Sequence, residues 1–315
     1  MLLIVNPHAG RGSIKNHALD IIDLFVRAGY RVTCRTTQQS GDPTEIIQEM
    51  GGEFDRVICC GGDGTVNEAL NGVMSLQKRP ELGIIPAGVA NDYAYSLGIP
   101  PKAVKAARVA AEGYPFQIDV GTFNGRYFSY VAAFGLFTDV TYKTSQQLKN
   151  ALGSLAYGLE AMRRLAAVKS YHLCVKHDGG YVEDDFIIGL FSNSVSVAGF
   201  RTAHRQALLD DGMLEIALVR MPTAMEQLQD IIDVLRNVES ISTLKSDFLT
   251  FIRTAKATVT STEPVDWTVD GESGGSHTEI EIAIEPRAIT VIAGRDMASD
   301  SSGKMKDGKK KDILV

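Results

Sequence analysis

Residues 57–68 read Val57-Ile58-Cys59-Cys60-Gly61-Gly62-Asp63-Gly64-Thr65-Val66-Asn67-Glu68. Four apolar residues of β character break into a glycine-rich turn, and a helical pattern begins at Val66. Glycines let successive backbone N–H groups converge on one concavity, where the next helix adds the positive end of its dipole. The stretch predicts a strand, a phosphate cradle and a helix, with Asp63 at the lip of the cradle. A carboxylate beside phosphates requires a cation between them, so Mg²⁺ on a nucleotide is expected. An ordinary strand-to-helix turn uses some of these residues; three glycines, an acid and a hydroxyl exceed what it needs.

The flanking sequence supplies the fold around the cradle. Leu2–Asn6 reads as a first strand, and Ala18, Leu19, Ile21, Ile22, Phe25 and Val26 form a helical stripe that stops at Gly29. Tyr30–Thr37 is a second strand, and Asp42-Pro43-Thr44-Glu45 is a helix start with a cap, a first-turn proline and an acid. Arg56–Cys60 and Leu82–Pro86 are further strands, and Lys102–Glu112 is helical before Gly113. This alternation argues an N-terminal doubly wound α/β domain over residues 1–122, whose ligands lie beyond the carboxyl ends of its strands.

From about Asp119 short β-type runs recur: Arg126–Ala133, Tyr171–His177, Tyr181–Ser192, Met213–Val219, Ala255–Thr260, Thr278–Glu285 and Ala288–Ile292. Asp178-Gly179-Gly180 and Asp270-Gly271 read as hairpin punctuation. Helical stretches near Leu148–Val168 and Pro222–Val238 interrupt them, so residues 123–287 are expected to form a β-sandwich domain with appended helices. The Ser-, Gly- and Lys-rich residues 296–315 are expected to be a disordered tail.

The bulk numbers exclude several classes. A chain of 315 residues is long enough for about two cores. A net charge of −6 leaves no basic field for nucleic acid. No uncharged apolar run approaches a membrane span, and the first residues read as a strand, without the basic region and cleavage site of a signal peptide. Cys34, Cys59, Cys60 and Cys174 lack CxxC spacing and are expected to be buried free thiols in a reducing cytoplasm.

Three more segments carry chemistry. Asn6-Pro7-His8-Ala9-Gly10-Arg11-Gly12 follows the first strand. Lys15 stands where a dinucleotide fingerprint needs its third glycine, and the second strand ends in Arg35-Thr36-Thr37 without an acid, which weakens a dehydrogenase reading. The loop either presents Asn6, Arg11 and Lys15 to a phosphorylated ligand or is an ordinary βα loop with solvated charges. In Pro86-Ala87-Gly88-Val89-Ala90-Asn91-Asp92-Tyr93, Asn91 reads as a helix cap, while Asp92 joins Asp63 and Asp119 as a third acid near a strand end. Three such carboxylates repel one another unless water and Mg²⁺ hold them together. Last, Val269-Asp270-Gly271-Glu272 is first a hairpin signal. If a γ-phosphoryl group goes to an alcohol, some carboxylate must take the hydroxyl proton, and Asp270 on a fixed turn suits.

Taken in order, Asn6-Pro7-x-x-Gly10, Gly61-Gly62-Asp63-Gly64-Thr65-x-Asn67-Glu68-x-x-Asn71-Gly72, Pro86-x-Gly88-x-x-Asn91-Asp92 and Val269-Asp270-Gly271-Glu272 resemble the diacylglycerol kinase catalytic domain. The resemblance is to the soluble bacterial members and runs to about residue 295. It implies ATP bound between two domains, with a last strand near 288–295 returning to the first. It implies Asp270 as general base with Glu272 beside it, and Asp63, Asp92 and Asp119 in an Asp–water–Mg²⁺ network. Asn6, Thr37, Gly61, Gly62, Asp63, Gly64, Thr65 and Asn67 would hold the nucleotide. Leu208, Asp211 and Met213 would hold a second, structural Mg²⁺, the first and last through carbonyls. Two positions depart from the family: Val89 removes a hydroxyl near the nucleotide, and Tyr95 replaces an arginine at the lipid side, leaving Arg11 and Lys15 to supply charge there.

The function so implied is ATP-dependent phosphorylation of diacylglycerol, or a related lipid alcohol, to phosphatidic acid. It would be carried out by a cytoplasmic protein in transient contact with an anionic inner-membrane surface. The Lys-rich tail is weighted low as an attachment. Alternatives are an NAD kinase-like phosphotransferase, which shares the cradle, and a nucleotide-binding regulator without catalysis. An exposed edge strand makes a homodimer reasonable.

Overall fold

The computed structural model describes residues 1–135, 169–193, 196–197, 200–201, 209–221 and 248–294. The helical stretches expected at 148–168 and 222–238, and the tail, lie outside the described residues.

The N-terminal half builds β1 (Leu2–Val5), α1 (Ala18–Arg27), β2 (Thr33–Thr36), α2 (Asp42–Met50), β3 (Arg56–Gly61), α3 (Asp63–Met74), β4 (Glu81–Pro86), α4 (Asp92–Ser96) and α5 (Ala103–Glu112). The strands β2, β1, β3 and β4 are parallel neighbours in that order, with Val5 beside Cys60 and Cys60 beside Ile85. Both faces are covered, so the central strands run apolar without alternation: Leu2 to Val5 and Val57 to Cys60 are all buried. The register aligns the ends of β1, β3 and β4, and their loops open on one edge.

The remaining strands are β5 (Tyr114–Phe123), β6 (Arg126–Phe128), β7 (Val131–Gly135), β8 (Tyr171–His177), β9 (Gly180–Ser192), β10 (Ser196–Val197), β11 (Phe200–Arg201), β12 (Leu214–Arg220), β13 (Leu249–Thr254), β14 (Lys256–Val269) and β15 (Glu272–Ala293). They pair antiparallel in the run β13-β12-β9-β7-β14-β15, and enclose a second core in which Phe134, Phe191 and Phe123 pack on Trp267 with ring centroids 5.1, 5.4 and 5.3 Å apart.

One strand joins the halves. The first part of β15 pairs with β14; beyond a register shift between Glu285 and Ile289 it lies between β5, antiparallel, and β4, parallel, with Val291 opposite Leu82. Pro286 and the positive φ of Arg287 (49°) mark that shift. The sequence reading splits β14 and β15 into shorter pieces, because irregularities such as the one between Thr260 and Val265 break the two-residue alternation.

Two local expectations are corrected. Asp42 does not cap α2; Gly41 occupies that position, and the Asp42 carboxylate turns back to accept the Gln38 and Gln39 N–H groups at 2.6 and 3.1 Å. Cys34 is exposed, because β2 is the edge of its sheet, while Cys59 and Cys60 are buried and Cys174 is intermediate.

Candidate active site

The cradle is backbone against backbone. A Cβ on Gly88 would lie 2.7 Å from the Cα of Gly62, and one on Gly61 would lie 2.4 Å from the Cβ of Thr65. No side chain fits between these loops, so the surface offered to a ligand is peptide N–H and helix dipole. The loops are stitched together: Ala87 N–H donates to the Gly61 carbonyl at 2.8 Å, and Asn6 donates its side-chain amide to Thr65 Oγ1 at 3.0 Å. Thr37 is buried at the end of β2, its N–H on the Val5 carbonyl at 3.0 Å. Asn91 does more than a cap: in the left-handed region (φ 53°), its side chain clasps Gly88 through Oδ1 at 2.8 Å and Nδ2 at 2.9 Å.

Asp63 opens α3 and is held by the start of α4. Its Oδ2 accepts the Asn91 N–H at 2.8 Å and its Oδ1 the Tyr93 N–H at 3.3 Å. Burial pushes its carboxyl above the ordinary range; the Tyr93 and Asn91 amides pull it down, and the charges of Asp92 and Asp270 push it up. Asp92 is buried beside it, and so is Tyr93, whose hydroxyl has no hydrogen-bond partner among the described residues. Neither Asp63 nor Asp270 makes an ion pair among the described residues. Neighbouring carboxylates, half-buried at Asp63 and buried at Asp92 and Asp270, fit a bound Mg²⁺.

Asp270 reaches this place from the far end of the chain. Val269 and Glu272 close the β14–β15 hairpin, whose two loop residues both have positive φ, 50° for Asp270 and 82° for Gly271, the geometry of a type I′ turn. Asp270 is buried while Gly271 beside it is exposed. The carboxylate Oδ2 accepts the Ser129 N–H at 2.6 Å, the Ser129 hydroxyl at 2.7 Å and the side-chain amide of Asn67, while Oδ1 accepts the Tyr130 and Val131 N–H groups at 3.0 Å each. Burial raises its carboxyl above the usual range, and the amides and hydroxyl at Val131, Ser129 and Tyr130 restore part of the shift. Glu272 stands at the mouth. It pairs with Arg126 at 3.1 Å, and its Oε1 lies 3.5 Å from where Gly64 would carry a Cβ.

Asp119, on β5, stands with a different group. Its Oδ2 accepts the Gly212 N–H at 2.6 Å and its Oδ1 the Arg287 N–H at 2.7 Å. Burial raises its carboxyl, as do the charges of Asp211 and Asp210. In that turn Asp211 accepts the Met213 N–H at 2.9 Å and pairs with the guanidinium of Arg253, which also lies 3.8 Å from Glu215. Leu208 lies outside the described residues. Both oxygens of Asp211 are engaged, one by the Met213 N–H and the other by the Arg253 guanidinium. Among the described residues, no three His, Cys, Asp or Glu side chains converge as ligands of one metal. Lys15 is exposed in the 3-10 turn Ala9–His17; the side chain of Arg11 lies outside the described residues.

The sequence reading missed the Ser129–Val131 amides, which leave no side-chain signature. It also missed Arg253, 42 residues from its partner. Asn71 had a signal, since Asp63, Asn67 and Asn71 recur every fourth residue on one helix face.

Comparison with known proteins places these features together. Residues 1–123 match the family model described as the diacylglycerol kinase catalytic domain, and residues 132–293 the YegS C-terminal NAD kinase beta sandwich-like domain. The chain is 33% identical over 275 residues to a diacylglycerol kinase of Bacillus subtilis (strain 168), spanning 87% of this chain and 89% of the relative. It is 31% identical over 299 residues to one of Staphylococcus aureus (strain bovine RF122 / ET3-1), spanning 95% and 93%. A crystal structure of a diacylglycerol kinase from Bacillus anthracis str. Sterne superposes with a TM-score of 0.73 at 25% identity, covering 94% of this chain and 97% of the other.

Proposed function

From the premise that this chain belongs to the diacylglycerol kinase family, we propose that it transfers the γ-phosphoryl group of ATP to the hydroxyl of diacylglycerol or a related lipid alcohol. The acceptor oxygen bonds to the γ-phosphorus as the bond from phosphorus to the β–γ bridging oxygen breaks. ADP leaves, and the alcohol proton passes to Asp270. One observation carries this reading: the hairpin that bears Asp270 and Glu272 ends against the helix that starts at the phosphate cradle.

The roles follow from the geometry. Gly61 to Gly64 and the start of α3 would take the phosphates, with no side chain in the way. Asn6 and Thr65 hold the cradle open, and Thr37 lies at its edge. Mg²⁺, when bound, would neutralise charge on the transferred phosphate, with Asp63 and Asp92 the residues to hold it. Asp270 already receives a hydroxyl, that of Ser129, at 2.7 Å, which is hydrogen-bond reach for an alcohol. Its burial makes it a stronger base than an exposed carboxylate. Among the described residues no helix is long and apolar enough to cross a membrane, so the lipid would be met at a surface. Val89, 99% exposed, Tyr95, 42% exposed, and exposed Lys15 are candidates for that contact.

The test is Mg²⁺-dependent transfer of labelled γ-phosphate to diacylglycerol in mixed micelles, comparing the native chain with Asp270→Asn. Loss of about 10³-fold or more in the variant, with ATP binding retained, is expected. Folded, ATP-binding protein that leaves diacylglycerol unlabelled rejects the acceptor. The match of residues 132–293 to an NAD kinase-like sandwich makes NAD the second acceptor to add to the same assay.

A further inference from the structure

The face of α3 that begins at Asp63 continues through Asn67 and Asn71, four residues apart and so stacked one turn above the next. A carboxylate only accepts hydrogen bonds, so the Asn67 amide must turn its Nδ2 toward Asp270. That leaves Asn67 Oδ1 facing the next turn, where Asn71 Nδ2 donates to it at 3.1 Å. The same Nδ2 reaches the Asn67 carbonyl at 2.9 Å and the Tyr127 carbonyl at 3.2 Å. Tyr127 belongs to β6, two residues before Ser129. The two asparagines therefore tie the helix of the cradle both to the carboxylate of Asp270 and to β6, which leads directly into the amides that hold it. Asn67 is buried, and both polar atoms of its side chain are taken up in this junction.

We infer that Asn67, backed by Asn71, is a positioning residue that fixes Asp270 relative to the phosphate cradle, and is not a ligand of the nucleotide. This rests on Asp270 being the base. Asp63, at the N-terminus of α3, meets the phosphates; Asn67, one turn on, sets the proton acceptor; the rigid helix keeps the two at one spacing. Positional error of this kind is expensive, since misplacing a catalytic group by about 1 Å costs on the order of 10²-fold in rate.

The experiment measures kcat, KM and calorimetric ATP affinity for Asn67→Ala, Asp270→Asn and the double variant, with Asn71→Ala beside them. Asn67→Ala should keep its ATP affinity within about 2-fold while kcat falls about 30- to 100-fold, and Asn71→Ala should show the same split with a loss of about 3- to 10-fold. In the Asp270→Asn background, removing Asn67 should cost nothing further, because the group it positions is gone. The inference is overturned if Asn67→Ala weakens ATP binding tenfold or more with kcat kept, or if its effect on kcat is undiminished in the double variant. If Asn67→Ala does not fold, Asn71→Ala decides by the same split. Asp270→Asn retaining the native kcat would instead bring down the base assignment itself, a result separable from either.

Discussion

Two acidic corners of this molecule have been neutralised in opposite ways. At one, half-buried Asp63 and buried Asp270 sit with Asp92, and neither Asp63 nor Asp270 has an ion pair among the described residues. At the other, Asp119, Asp210, Asp211 and Glu215 gather around the turn at 209–213, and arginines are built in: Arg253 against Asp211 and Glu215, and Arg287 within 4.0 Å of Asp210. A corner with its own guanidinium is complete as folded. At the first corner Asp63 and Asp270 are held by peptide N–H groups, the Ser129 hydroxyl and the Asn67 amide, donors that carry no full charge. The proposed metal-bound nucleotide would bring a cation to the first corner, whereas arginines already brace the second.

The comparison breaks most visibly at Asp63. Asp63→Asn should lower kcat/KM by about 10²- to 10³-fold, read in the phosphotransfer assay. It should also make stability less dependent on pH, while the Asn91 or Tyr93 N–H that faces the new NH₂ loses its partner. Burial raises this carboxyl in the folded state, so the folded chain takes up the proton before the unfolded one does. The resulting stability is fully present below the unfolded value and lost as pH rises through the folded value. Melting curves from pH 5 to 8 should therefore show a flatter slope for the variant than for the native chain, with the comparison most favourable to the variant at the alkaline end.

Asp119→Asn is the next largest change, and its effect should fall on stability. The carboxylate accepts N–H groups from Gly212 and Arg287 on its two oxygens, and an amide offers one oxygen only. The N–H facing the new NH₂ loses its partner, at a cost of about 1–3 kcal/mol by denaturant unfolding. Activity lost with stability intact would move Asp119 to the other corner and undo the comparison. Smallest should be Arg253→Ala, about 1 kcal/mol, because the guanidinium is partly exposed. Here the size of the metal response is the readout: the variant should gain more thermal stability from Mg²⁺ than the native chain does.

The α/β half was legible because its signals are local. Strands buried on both faces read as apolar runs, and glycine clusters fall where backbones must touch, as Gly62 and Gly88 do. The Asp270-Gly271 pair was legible twice over, as a hairpin and as a candidate base, and the two readings are compatible: the type I′ turn puts the carboxylate into Ser129, Tyr130 and Val131. What stayed hidden is non-local. Five donors converging on Asp270 come from α3 and from the backbone following β6, and nothing in the residues 129–131 advertises that role. The length of β14 and β15 was obscured by the bulges that let them bend. Asp211 reads in sequence as a turn acid, and its arginine lies on another strand.

The path of β15 has a consequence for how the chain is made. Its final stretch lies between β4 and β5, so the sheet that carries the cradle lacks a central strand until residues 289–293 exist. On the ribosome the first four strands emerge long before the one that joins β4 to β5. An N-terminal fragment would carry β4 as an open apolar edge, prone to pair with other copies. The nucleotide-binding half is encoded first and closed last, which makes the whole chain, and neither half alone, the unit of folding.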